Sequence, residues 1–394
     1  MPVVELRSPR TVAAGLLLVV LLLVWAAFDL ETRVEIQRVP LFTLPWGERA
    51  GAVGRVEVDG RSFGPRSFAV YDGRVVVADT FNDRLLVFDR QGTLLSLFPL
   101  AAPGGAGDEA AALPEVLPVS GVHAAAAAGS EEAGGDRGAV WINDVAVGPD
   151  GRYYLADAAA PRVLVLAPDG SLAEAVDLAP AAPGADPAGD AVWLLERIAV
   201  DEEGLLYLTH AYLSDALLAR RITRVGGPDS KFAHLSTAAL REGGAVVDGE
   251  GLLPGPANSF AVGLDGRFYV ESAGTNLFTR RVRSYDRDVR PGPSWDVIRP
   301  EPVVRAEVLG ASTGGWVFVA VNPGRPQGRI VVLAGGGPQA GRHELDPAWT
   351  VQYEANVHAR LTADGLYVAR AGEEGWSLDH WQIQRRHVLR PAWR

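Results

Sequence analysis

The stretch Ser67–Gly92 reads SFAVYDGRVVVADTFNDRLLVFDRQG. A short apolar strand from Ser67 runs into a turn at Asp72-Gly73, where Asp-Gly supplies the backbone geometry of a tight hairpin. A second apolar strand ends at Ala78-Asp79, a polar turn follows, and a third strand runs from Arg84. The alternation in Arg84-Leu85-Leu86-Val87-Phe88 fits sheets stacked face to face.

The same pattern returns five more times. The copies are DVAVGPDGRYYLADAAAPRVLVLAPDG from Asp144, RIAVDEEGLLYLTHAYLSDALLARRI from Arg197 and SFAVGLDGRFYVESAGTNLFTRRVRSY from Ser259. A degenerate copy, VLGASTGGWVFVAVNPGRPQGRIVVL, starts at Val308, and ARLTADGLYVARAGEEGWSLDHWQIQ starts at Ala359. The turn glycines are Gly73, Gly151, Gly204, Gly266, Gly315 and Gly365, spaced by 78, 53, 62, 49 and 50 residues. A unit of about 50 residues suits one four-stranded blade, so the fold expected is all-β, a six-bladed β-propeller. The 45 glycines and 27 prolines among 394 residues agree with a turn-rich chain.

The first two copies resemble the NHL repeat. Val77-Ala78-Asp79-Thr80-Phe81-Asn82-Asp83-Arg84 carries its pattern, and Val147–Leu166 carries it with Pro161-Arg162 in the turn. The resemblance spans residues 60–386 and implies a propeller of the NHL or TolB-like group, a fold that serves scaffolds, sensors and enzymes alike. Asp79 and Arg84 read as a pair that braces the turn within a blade.

Thr11–Phe28, TVAAGLLLVVLLLVWAAF, is free of charge. As a helix it would span roughly 27 Å, close to the hydrocarbon thickness of a bilayer. Arg7 and Arg10 precede it, while Asp29 and Glu31 follow, so the basic side stays cytoplasmic and the propeller lies outside the cytoplasm. The expected organisation is a tail at 1–10, a single-pass signal anchor in the cell membrane at 11–28, a linker at 29–52 and a propeller over 53–394. A cleaved signal peptide is the other reading of the apolar run, and it exports the domain equally. Val53–Val58 is the candidate strand for closing the ring beside Asp379–Arg386. Ala101–Gly138 lacks a strand pattern and is expected to be a mobile insertion, Pro180–Asp190 is a shorter insertion, and Gly226–Pro256 is a longer connection that composition leaves open between a functional and a disordered loop.

The formal net charge of -11 argues against a nucleic-acid partner. The absence of cysteine excludes disulfides, thiolate chemistry and cysteine-ligated zinc. None of the seven histidines forms an i,i+4 pair, and neither a Gly-x-Ser-x-Gly elbow nor a phosphate loop is present.

Propeller ligands meet the channel mouth, built from residues just before each innermost strand. Those positions hold Arg66 and Ser67, Asn143 and Asp144, Glu196 and Arg197, Asn258 and Ser259, Arg305 or Glu307, and His358. The ligand-binding candidates are Arg66, Asn143, Asp144, Glu196, Arg197, Asn258 and His358. Carboxylate and amide oxygens suit Ca²⁺ or another divalent cation, which makes Asn143, Glu196 and Asn258 a candidate metal set. In this position the ring is similar to that of the gluconolactonase group. A solvated channel of ordinary polar residues accounts for it equally. Two functions follow: an extracytoplasmic binding or scaffold module for a protein or small molecule, with no cofactor, or a divalent-metal-dependent hydrolase or lactonase. His380–Arg394, with four arginines, reads either as a partner-binding edge or as a tail that finishes the last blade.

Overall fold

The computed structural model describes residues 28–58, 61–100, 140–157, 162–177, 192–200, 204, 206–214, 217–225, 234–241, 244–248, 259–286, 290–334, 341–347, 353–355 and 357–391. These are all-β, with one 3₁₀ turn at Thr80–Asn82. Among them no helix is long and apolar enough to cross a membrane. The expected anchor, up to residue 27, lies outside the described residues, as do the insertions expected at 101–138 and 180–190 and most of the connection at 226–256.

The chain divides into two compact units. The larger, Pro40–His380, holds a succession of antiparallel meanders. The first sheet is Ser67–Tyr71, Arg74–Asp79, Arg84–Asp89 and Leu94–Pro99, paired in that order. The second starts at Ile142–Val147, the third at Val192–Val200, the fourth at Ser259–Val262 and the fifth at Ala306–Ala311. The third has five strands and the others four. The sixth sheet runs inward to outward as Ala359–Thr362, Gly365–Ala371, Trp376–Pro391 and Phe28–Leu44.

The opening strand of each sheet is its innermost. The first neighbours the second and the sixth, the second neighbours the third, and the fifth neighbours the fourth and the sixth. The third and fourth line the same central cavity. Meanders set radially around one axis make a β-propeller. In the smaller unit, Met1–Val39 with Trp381–Arg394, the described residues are strand.

Strands buried on both faces read as continuous apolar runs. Val75 and Val77 pack with Tyr367, Ala369 and Trp376 of the sixth sheet. Val76 and Ala78, pointing the other way, pack with Ile142, Val145 and Leu155 of the second. Each strand thus supplies half of two cores. All six turn glycines have positive φ, between 71° and 145°, as the hairpin turns require.

Two expectations change. The outermost strand of the sixth sheet is Phe28–Leu44, not Val53–Val58, and it occupies much of the stretch expected as linker. Val56–Val58 instead pairs with Arg61–Phe63, which pairs in turn with Tyr353–Glu354 in a small separate sheet. Pro40 is tolerated within the closing strand because the strand lies at a sheet edge, where a missing N–H costs little. Gly375 lets the closing strand approach, since a Cβ there would sit 2.0 Å from the Leu44 carbonyl oxygen.

The Asp79–Arg84 pair braces its turn at 2.8 Å and does more. Asp79 Oδ1 accepts the Gly54 N–H, while Arg84 donates to the carbonyls of Glu48 and Ala52. The arrangement recurs where Asp157 pairs with Arg162 and accepts the Trp141 N–H, and where Asn322 accepts the Val304 N–H. A residue ending the second strand therefore clamps the segment that enters the same sheet. Removing one partner of a buried pair costs about 3–5 kcal/mol, against about 0–1 for an exposed pair. Asp79→Ala should accordingly lower the denaturation midpoint far more than Asp296→Ala, whose partner Arg281 is 44% exposed. Equal effects in an unfolding titration would refute the clamp.

Candidate functional site

The innermost strands share no backbone ladder, so side chains must join them. One residue on each strand does so: Ser67, Asp144, Arg197, Ser259, Glu307 and Arg360. Ser67 Oγ donates to Asp144 Oδ1 at 2.5 Å. The same carboxylate accepts the N–H groups of Val145 and Ile198 at 2.8 and 2.9 Å, and the Arg360 guanidinium. Arg360 also donates to the carbonyls of Phe68 and Val145. Arg197 pairs with Glu307, whose Oε2 lies 3.6 Å from Arg305 Nη2. Ser259 Oγ accepts the Val308 N–H at 2.7 Å.

Electrostatics follow from this geometry. Burial disfavours the Arg197 cation, but Glu307 and Asp144 more than offset it and raise its pKa. Burial pushes the Glu307 carboxyl up, yet Arg197, Arg305 and His358 together pull it below its ordinary value. Burial, with Arg197 nearby, lowers Arg360 despite Asp144. With Arg305 beside Glu307, the two acids face three guanidiniums.

The expected ring is partly assembled. Arg66 donates to Asn143 Oδ1 at 2.7 Å and lies over the Trp141 ring. Asn143 Nδ2 donates to the Leu195 and Glu196 carbonyls. Asn143 and Glu196 are each skipped in their strand's register, so both sit in β-bulges, which re-aim side chains. Asp144 and Arg197 belong to the charged layer. His358 is buried, and its carbonyl accepts the Ala369 N–H. Asn258 lies outside the described residues. Among the described residues no group of three or more His, Asp and Glu side chains could hold a metal ion.

Sequence reasoning missed Arg360. The signal was present, because the polar residue stands two before an alanine in SFAV, DVAV and RIAV. In the sixth copy, Arg360-Leu361-Thr362, threonine replaces that alanine.

Next to the charged layer lies a cavity of about 430 Å³, lined by all six innermost strands. Arg197, Glu307 and Arg360 form its charged wall, and Thr209, Asp265 and Thr362 add polar groups. Its size falls within the range of small-molecule sites.

No family model and no curated protein matches the chain. Similar solved structures include virginiamycin B lyase from Staphylococcus aureus, at 10% identity and a TM-score of 0.44, covering 89% of this chain and 100% of that one. A gluconolactonase from Xanthomonas campestris shows 13% identity and a TM-score of 0.44, over 89% of this chain and 90% of that one. Regucalcin, a calcium-binding protein from Agrobacterium tumefaciens, shows 11% and 0.38, over 82% and 91%. With scores this low the likeness carries no argument. The propeller rests on the strand order and the ring of inner strands.

A carboxyl whose pKa is depressed on folding adds stability above its unfolded value, and that stability is lost as pH falls through the folded value. For Glu307 the ordinary value is 4.5. Below it, the thermal midpoint of the native protein should fall more steeply with pH than that of Glu307→Gln. Parallel curves would show that the carboxylate is not held by its arginines.

Proposed function

We propose that the chain is a six-bladed propeller of the NHL or TolB-like kind, tethered to the cell membrane by residues 11–28 and displayed outside the cytoplasm. It acts as a binding module that takes a ligand in its channel without transforming it. The six successive meanders support the blade count. The ion-paired layer carries the functional reading. Asp144 already accepts four donors, and Glu307 lies between Arg197 and Arg305. A divalent cation would have to displace guanidiniums to use either carboxylate, at the cost of leaving buried arginines uncompensated.

The proposed cation set fares little better. Asn143 Oδ1 is taken by Arg66, and a cation there would face that guanidinium. One observation keeps a metal-dependent hydrolase or lactonase as the second reading. Asn143 and Glu196 occupy equivalent bulges on successive sheets, so Asn258 on a third would complete an oxygen ligand set.

Elemental analysis and thermal unfolding separate the two. On the binding reading, chelator leaves the midpoint unchanged and no stoichiometric divalent ion co-purifies. A bound ion at hundredfold excess over its dissociation constant would add about 2.7 kcal/mol. Such an ion, lost in Glu196→Gln, would promote the enzyme. For the topology, protease added to intact cells with a permeable outer layer should digest the chain beyond residue 28, and full protection would overturn the assignment.

A further inference from the structure

The polar groups of the cavity differ in what they have left to offer. Arg197 and Arg360 line it with side chains 22% and 20% exposed. Arg197 donates through Nη2 alone, to Glu307, and Arg360 through Nε and Nη2. Arg197 Nε and Nη1 and Arg360 Nη1 are solvent-accessible and make no hydrogen bond among the described residues. Thr209, directly opposite Arg197 in the strand pairing, adds a hydroxyl to the same wall. The acids beside them are already engaged. Asp144 accepts four donors, and Glu307 lies between Arg197 and Arg305 with its Oε2 buried. Asp265 sits in the hairpin turn of the fourth sheet, where Oδ1 accepts the Arg267 N–H and Oδ2 the Tyr269 hydroxyl. It is exposed, so water and salt screen its charge. Thr362 donates to Asp364 within its own turn.

The free capacity of the charged wall is therefore in guanidinium N–H groups. The balance of charge agrees. Arg197, Arg305 and Arg360 face Asp144 and Glu307, which leaves one positive charge in excess. Glu196 also acts on Arg197, and Arg66 on the same ring offsets it. Burial, with Arg197 nearby, lowers Arg360 despite Asp144. An anion between the two guanidiniums would relieve that repulsion. A carboxylate matches the fork of an arginine through paired N–H···O bonds and carries the single charge that is missing. An ammonium would meet the same repulsion, and a neutral ligand would leave the excess charge uncompensated. Ala69, Ala146, Ala199 and Ala261, small residues on four innermost strands, leave room for the body of such a ligand. We propose that this cavity binds a small organic monocarboxylate, its carboxylate held by the free N–H groups of Arg197 and Arg360. The assignment rests on the binding reading above and specifies its ligand.

The test uses the full chain in uncharged detergent at low chloride. The probes are acetate, 4-methylpentanoate and benzoate, the amide of each acid, 3-methylbutylamine, inorganic phosphate and glucose. Calorimetry should show binding of at least one carboxylate, with its amide weaker by about tenfold or more, equivalent to about 1.4 kcal/mol. The amine should not bind, and phosphate, with its second charge, should bind more weakly than the carboxylate. Ala199→Leu should fill the cavity and abolish binding with every ion pair of the layer left in place. The double variant Arg197→Gln, Glu307→Gln removes a guanidinium without stranding its acid, and it too should lose the carboxylate while a cooperative unfolding transition is retained. Binding of no carboxylate, an amide that binds as well as its acid, or carboxylate binding that survives both variants would overturn the proposal. Phosphate or glucose bound more tightly than every carboxylate, and blocked by Ala199→Leu, would sink the carboxylate assignment while sparing the binding reading. A stoichiometric divalent ion with no cavity ligand would remove both.

Discussion

The Asp144 carboxylate holds four sheets at once. It is fully buried, and its partners come from the first, second, third and sixth innermost strands. Sheets in a propeller touch through apolar faces, which are tolerant of sliding because hydrophobic contact has no direction. Hydrogen bonds from a single buried carboxylate do have direction. They set how far one innermost strand stands along the axis relative to the next, and so fix the level at which every other blade-to-blade contact is made. The acid is affordable in the interior only because Ser67, two backbone N–H groups and Arg360 satisfy it together.

The outer parts of the sheets follow the same logic with different residues. Asp79, Asp157 and Asn322 each receive an N–H from the segment that enters their own sheet. Polar groups thus govern the positions of strands at two radii, on the axis and at the rim of each turn. Between these radii, apolar residues such as Val75 to Ala78 divide alternately between two neighbouring cores. Register is strongly specified in such a strand, because a slip by one residue would exchange its two faces.

Much of this was legible in the sequence. The Asp-Gly turns at Asp72-Gly73, Asp150-Gly151 and Asp265-Gly266 announced hairpins, because that dipeptide adopts the needed backbone cheaply. Asp79 and Arg84 announced a brace at a spacing that spans a single turn. The closing strand escaped notice because Pro40 interrupts its pattern, and an edge strand needs less of one. Arg360 escaped because its role depends on partners 216 and 292 residues away, Asp144 and Phe68, which no local pattern encodes. Asn143 and Glu196 were found on the ring, yet the bulges that set their direction are a property of paired strands and not of either strand alone.

Taken in order around the axis, the layer runs serine, acid, arginine, serine, acid, arginine. The molecule therefore has a pseudo-twofold character at its centre, with the first three sheets and the last three carrying the same sequence of chemical types. Two ion pairs cross between these halves, Asp144 to Arg360 and Glu307 to Arg197, while Arg305 approaches Glu307 from within the second half. By these contacts Asp144, Arg197 and Arg360 find their counter-ions only in the opposite half. Closing the ring satisfies these three together, which couples the folding of one half to that of the other.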